Sequence, residues 1–217
     1  MLDGALNKVG MYIGNVARTW FYLNDLLNWY DDFNSVRNDY FTVKGVFERM
    51  IPASTGIGAG NLRCSSLLLS GYALKEKQNS INTEAIESPF QCPASDYKSS
   101  FSRAVEINHP DYRHLIVSGT ASITPEGETA NIGSIRKQVE LTMKVVYGIL
   151  QSREMTWKNV TRGIVYSKNN NDIKSFENFC SDNNIPKLPL SMIQADICRD
   201  ELLFEIEVDA ITIYKNN

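Results

Sequence analysis

Histidine, paired cysteine and runs of a single charge are scarce in this chain, and each scarcity removes a class of function. The two histidines, His109 and His114, lie in a turn-like stretch with no cysteine beside them, and Cys64, Cys92, Cys180 and Cys198 are scattered without a CxxC pair. That spacing supplies no metal-ligand set, and no cofactor is implied. A net charge of −3 and a pI near 5.5 leave no basic footprint for nucleic acid. No apolar run approaches the roughly 20 residues of a membrane span, and Met1-Leu-Asp-Gly does not open like a secretory leader. These absences predict a cytoplasmic protein with reduced thiols and neither nucleic-acid nor membrane partners, in which Cys64, Cys92 and Cys180 are packing residues. The 217 residues, 43% hydrophobic and 22% charged, suffice for a substantial core in one large or two small domains.

What is present is most informative near the C-terminus. From Glu201 to Ala210 the chain alternates: Leu202, Phe204, Ile206, Val208 and Ala210 share one face, and Glu205, Glu207 and Asp209 share the other. Period-two alternation marks a half-buried strand and places two glutamates side by side. Antiparallel sheets commonly have one wet face, so the pattern alone favours a solvated row of carboxylates. Facing a cleft instead, Glu205 or Glu207 would have its pKa raised into acid–base service.

The polar stretch Lys75–Pro89 predicts a linker or surface loop, which divides the chain into residues 1–75, a linker over 76–97, and a domain over 98–217. In the last part, strands are predicted over Phe101–Ile107, His114–Ile123, Val160–Ser167, Leu190–Ile197 and Leu202–Ile213. Helices are predicted over Ser134–Arg153, with Ser134 as N-cap, and over Asp172–Cys180. The order β-β-α-β-α-β-β describes an α+β domain, one sheet backed by two helices. The first part repeats its second half. Val16-Ala-Arg-Thr-Trp-Phe-Tyr matches Val160-Thr-Arg-Gly-Ile-Val-Tyr, a helix carrying Leu27, Tyr30, Phe33, Arg37 and Tyr40 follows, and Ser65–Tyr72 parallels Asp200–Glu207. That alignment sets Ser70 against Glu205 and Tyr72 against Glu207. It reads residues 1–75 as a partial, degenerate copy that lacks the β-β start and has its first helix shortened to Ala5–Asn15.

The order of elements, Ser100-Phe-Ser-Arg-Ala104, Ile116-Val-Ser-Gly-Thr-Ala-Ser-Ile123 and Phe204-Glu-Ile-Glu207 resemble the RidA/YjgF family over residues 98–214. The resemblance implies a chorismate-mutase-like fold, a homotrimer with pockets between subunits, and, in many members, hydrolysis of enamines and imines. Those enzymes hold the substrate carboxylate with an arginine where this chain has Leu190, which cannot make a bidentate, charge-assisted contact. Ala195-Asp-Ile-Cys-Arg-Asp-Glu-Leu-Leu-Phe-Glu-Ile-Glu207, with Ala17-Arg-Thr-Trp-Phe-Tyr22 and Phe33-Asn-x-x-Arg37, is more similar to the chorismatase and 3-hydroxybenzoate synthase branch. This resemblance implies a small carboxylate substrate, release of pyruvate from chorismate, and Glu205 as the acid; Cys198 leans toward a hydroxybenzoate product. Within the matching motifs Arg103 and Arg199 are the candidate carboxylate partners, and Ser118, Gly119 and Thr120 the candidate pocket wall. Tyr97 and Phe101 are candidates to stack on a planar ring, and Cys198, with no flanking base, is a group that shapes the pocket. An imine deaminase and a non-catalytic carboxylate-binding protein are the alternatives.

Overall fold

The computed structural model describes residues 2–75, 81–97 and 99–214, and the side chains of Ser95 and Tyr97 lie outside the described part. The first unit runs α1 (Leu2–Lys8), β1 (Val16–Leu23), α2 (Leu26–Val43), β2 (Ala53–Gly58) and β3 (Leu67–Ala73). There follow β4 (Asn82–Ile86), β5 (Ala104–Asn108), β6 (Tyr112–Ala121), α3 (Ile135–Ser152), β7 (Val160–Ser167), α4 (Ile173–Asp182), β8 (Leu190–Gln194) and β9 (Phe204–Ile213). The strands form a three-stranded sheet in the order β2-β1-β3 and a six-stranded sheet in the order β4-β5-β6-β9-β7-β8. No helix among the described residues is long and apolar enough to cross a membrane.

The larger sheet is built as its sequence dictates. On α3, Val139, Met143, Val146 and Leu150 recur at helical spacing and are all buried. They meet Leu115, Val117, Phe204, Ile206 and Val208 from β6 and β9 in the main core, which Phe176 of α4 closes against Phe204. Full burial of each such side chain contributes roughly 1.5–3 kcal/mol, so this face anchors the sheet. Beside it, Glu106 is fully buried and is held by Arg153 at 2.5 Å and Arg113 at 3.7 Å.

The two sheets share one topology. β1 runs parallel to β2 and antiparallel to β3, as β7 runs parallel to β8 and antiparallel to β9. Even the irregularity repeats: the register slips between Val16 and Arg18 in one ladder and between Val160 and Arg162 in the other. Register also corrects the sequence alignment. Tyr22 faces Leu68 as Tyr166 faces Glu205, and Trp20 faces Ser70 as Ile164 faces Glu207. Leu68, and not Ser70, therefore stands where Glu205 stands, and Ser70 takes the place of Glu207. The observed pairing differs from the sequence alignment by two residues, an even offset that preserves the face and so leaves no trace in the alternation.

Three further expectations change. The predicted linker over 76–97 contains β4, an edge strand paired along its whole length with β5. An edge strand needs few apolar residues, and here Ile86 alone is buried. The helix expected over Ala5–Asn15 ends at Lys8, because Gly10 adopts a left-handed φ of 66° and the chain resumes only as a short 3-10 turn at Ile13–Asn15. Cys64 is exposed in a turn with φ of 51° and packs nothing, whereas Cys180 lies partly buried against the main core.

The polar face of β9 is not solvated either. It is covered by the first unit, with Glu205 4% and Glu207 0% exposed. A small apolar cluster, Ala17, Ala53, Val105, Ile107 and Ile116, joins the two units, and Ala53 bridges to Ser102.

Candidate functional site

A cavity lies between the units, over the end of β9 that carries Glu205. Its wall brings together Phe101, Arg103, Gly119, Cys198, Arg199 and Glu205 from the second unit. Facing them, α2 supplies Tyr30, Asp31, Asn34 and Arg37, and β2 supplies Ser54, Thr55 and Gly56. Ser118 and Thr120 do not line it. Ser118 is fully buried and ties the units together, its hydroxyl accepting from the Ser54 amide and donating to the Ser102 carbonyl. The Thr120 hydroxyl turns back onto the Ser118 carbonyl. The side chain of Tyr97 lies outside the described residues.

Glu205 and Glu207 are neighbours on one face of β9 in opposite surroundings. Glu207 accepts hydrogen bonds from Arg18 and Thr55 at 2.6 Å, Arg162 at 2.8 Å, Trp20 at 2.9 Å and Tyr166 at 3.4 Å. Burial alone would raise its pKa, but the Arg18 charge and the bonds from Thr55, Trp20 and Arg162 lower it, so Glu207 is ionised. Glu205 has no hydrogen-bond partner among the described residues and sits against the cavity. Burial first, then the Glu207 charge, pushes its pKa up to about 8, against the opposing pull of Arg18. The pair thus holds one proton, and Glu205 carries it at neutral pH.

Gly119 explains how the carboxyl reaches the cavity. A Cβ at this position would lie 2.0 Å from Glu205 Oε1, so any other residue would push the carboxyl out of this place. The Gly119 amide donates to Thr55 Oγ1, which in turn donates to Glu207, linking the wall to the charged pair. Cys198 is held neutral: burial and the nearby Glu205 push its thiol up to about 12, and Tyr30 is its hydrogen-bond partner. A neutral thiol is a poor nucleophile, consistent with a group that shapes the wall.

Each of the three arginines on the wall is oriented by its own contacts. Arg103 donates through Nε and Nη2 to the Cys92 carbonyl at 3.0 and 2.7 Å and lies over the Phe101 ring. Arg199 donates to the Gly127 carbonyl at 2.8 Å and to Thr129 at 3.3 Å. Arg37 donates to Asn34 at 2.7 Å and lies over the rings of Phe21 and Phe33. In the sequence Arg37 stands out only within a helix motif, and no role attaches there to Arg18 or Thr55. The repeated Val-x-Arg-x-x-x-Tyr pattern was the available signal for Arg18; nothing in the sequence singles out Thr55. Among the described residues no group of three or more His, Cys, Asp or Glu side chains forms a metal site.

The larger sheet with its two helices is the RidA-like fold; the yeast protein Mmf1 matches the chain with a TM-score of 0.50, covering 60% of this chain and 98% of its own at 20% identity. The doubled arrangement, with the smaller sheet set against the larger, is that of a crystallised chorismatase. That structure matches with a TM-score of 0.79 over 96% of this chain and 67% of the other, at 21% identity. In sequence the chain is 26% identical over 220 aligned residues to a chorismatase of Streptomyces rapamycinicus, covering 89% of this chain and 63% of that one. A 3-hydroxybenzoate synthase of Streptomyces hygroscopicus is 25% identical over 220 residues, covering 89% and 62%. The chain thus spans about three fifths of the length of these curated relatives. No protein-family model matches it.

Proposed function

We propose that the protein releases pyruvate from chorismate, or from a closely related enol-pyruvyl carboxylic acid, with Glu205 as the general acid. The observation that carries this reading is the split carboxylate pair on the wall of an arginine-lined cavity: Glu205 raised to about 8 beside an ionised Glu207. Cleaving an enol ether begins with protonation of the terminal vinyl carbon, which needs an acid still protonated near neutral pH. The proton moves from Glu205 to that carbon and leaves an oxocarbenium centre on the ether carbon. The ionised Glu205, with Glu207 behind it, stabilises that cation. Water adds to the cationic carbon and returns a proton to Glu205. The resulting hemiketal collapses, breaking the bond to the ring oxygen, and pyruvate and the ring alcohol leave.

Arg37, Arg103 and Arg199 supply the positive charge for a substrate with two carboxylates, and Phe101 supplies a ring for the planar part. Cys198 bounds the cavity, and the family resemblance links a cysteine at this position to the hydroxybenzoate product. Formation of that product needs no net water, since the ring loses a molecule of water as the ether is hydrolysed. On this reading the cavity wall is drawn from both units of one chain. The four free thiols support the reading of a reducing, cytoplasmic location.

The test is incubation with chorismate, following pyruvate and the ultraviolet spectrum of the ring product, for the wild type and Glu205→Gln. Pyruvate from the wild type and not from the variant is the expected result. Tight chorismate binding with no pyruvate would replace the enzyme by a carboxylate-binding protein.

A further inference from the structure

Arg18 and Arg162 are the same residue of the two repeated units, each placed just after the shared register slip. Both end on Glu207: Arg18 Nη2 lies 2.6 Å from one carboxylate oxygen and Arg162 Nη2 2.8 Å from the other. The indole of Trp20 fills the space between them, with the two guanidinium groups 4.9 and 5.4 Å from its ring and its Nε1 donating to the same carboxylate. Arg18 is fully buried, as is Glu207. A buried pair of this kind adds little net stability over an apolar pair of the same volume, so its stability alone does not account for it.

We propose that Arg18 and Arg162 form one clamp that fixes Glu207 as a permanent negative charge beside Glu205, which makes the first unit part of the acid. The inference rests on the reading of Glu205 as the acid and adds to it the residues that act through Glu207. Arg18, Trp20 and Thr55 come from the first unit, Arg162 and Tyr166 from β7. They are positioning residues, since the Glu207 they hold makes no contact of its own with the cavity.

The charged and titratable groups around Glu205 come from every element packed on it. Glu207 shares its strand, Arg18 reaches it from β1, and Tyr166 lies opposite it on β7. Cys198 and Arg199 come from the loop before β9, and Tyr30, Asp31 and Arg37 from α2. Arg103 comes from the segment before β5. Of these, Glu207 is the charge that raises Glu205, and Arg18 is the one that opposes it. Neutralising Glu207 removes the repulsion and leaves Arg18 and Arg162 in place, so Glu205 must give up its proton at lower pH.

Two readouts on the full chain test this. The first is the pH profile of pyruvate release. The second needs no turnover: the infrared carbonyl band of protonated Glu205, identified as the band lost in Glu205→Gln, followed through a pH titration. In the wild type both are expected to lose signal near pH 8. In Glu207→Gln the midpoint is expected to fall by about one pH unit or more. If that variant does not fold, because Arg18 is left buried without its anion, Arg18→Gln/Glu207→Gln removes both charges together. Its midpoint is also expected to fall, by less, since the opposing pull of Arg18 goes too. Glu207→Asp, which keeps the charge, should leave the midpoint near the wild-type value. An unmoved midpoint in the charge-removing variants would overturn the clamp, even where activity or stability drops. A band that titrates as expected in a protein releasing no pyruvate would instead overturn the catalytic reading and leave the clamp standing.

Discussion

β3 and β9 are the same strand of a repeated unit, and they have opposite fates. β9 is flanked by β6 and β7, carries α3 on one face and the first unit on the other, and is buried almost throughout. β3 pairs with β1 alone among the described residues, and Leu67, Leu68 and Tyr72 on it are 36%, 44% and 37% exposed. A position in a fold therefore does not make a chemical group. The residue facing the repeated tyrosine, Tyr166 or Tyr22, is an acid raised to about 8 in one copy and a solvent-facing leucine in the other. What differs is the environment: without a stacked sheet and a second neighbouring strand there is no desolvation to raise a carboxylate.

The comparison breaks most visibly at Glu205. Glu205→Gln is expected to lower turnover of chorismate by at least about a thousandfold while the protein keeps its fold. The same change should relieve a cost that grows with pH. A carboxyl raised in the folded state takes up a proton on folding between its unfolded value near 4.5 and about 8, so wild-type stability falls through that window. Denaturant unfolding at pH 5 and pH 9 should show a smaller loss in the variant than in the wild type.

Next in size is the anchor of the complete copy, for which the described part of the first copy offers no counterpart. Arg153→Met leaves the fully buried Glu106 with Arg113 alone, at 3.7 Å. A loss on the order of 3 kcal/mol in urea unfolding is expected, with turnover of the remaining folded protein unchanged.

The contribution of the first unit to binding comes third. Arg37→Met should cost about 10- to 100-fold in kcat/KM, mostly through KM, because a charge-assisted contact to a carboxylate contributes roughly 1.5–3 kcal/mol. An unchanged KM would remove α2 from the substrate wall.

Smallest is the converse experiment. Leu68→Glu installs the acid at the equivalent position of the first copy, where it meets solvent. The expected outcome is a carboxylate that titrates like a free one, no added activity, and a stability change within about 0.5 kcal/mol. A raised pKa at that position would show that the strand itself, and not its covering, sets the acid.

How much could be read beforehand follows from what periodicity encodes. The bounds of β7 and the core face of α3 were legible because local alternation and helical spacing report which side of an element is apolar. Phe101, Arg103, Cys198, Arg199 and Glu205 were legible as a set because they lie in motifs of one domain, and the fold does bring them together with Gly119. The strand β4 was missed since an edge strand asks little of its residues, and Ser118 and Thr120 were misplaced because adjacent residues on a strand point to opposite sides.

By itself, then, the sequence determined the α+β class, the repeat, and the pairing of Glu205 and Glu207 on one face of one strand. These rest on short-range geometry: two residues per pleat, and three or four per helical turn. Only the tertiary structure decided that this face is dry, that Arg18 and Thr55 reach across to Glu207, and that Arg37 meets the cavity. Arg18 and Glu207 are 189 residues apart in the chain and 2.6 Å apart in space. Which carboxylate keeps its proton depends on the water and the charges that such distant contacts exclude or bring in.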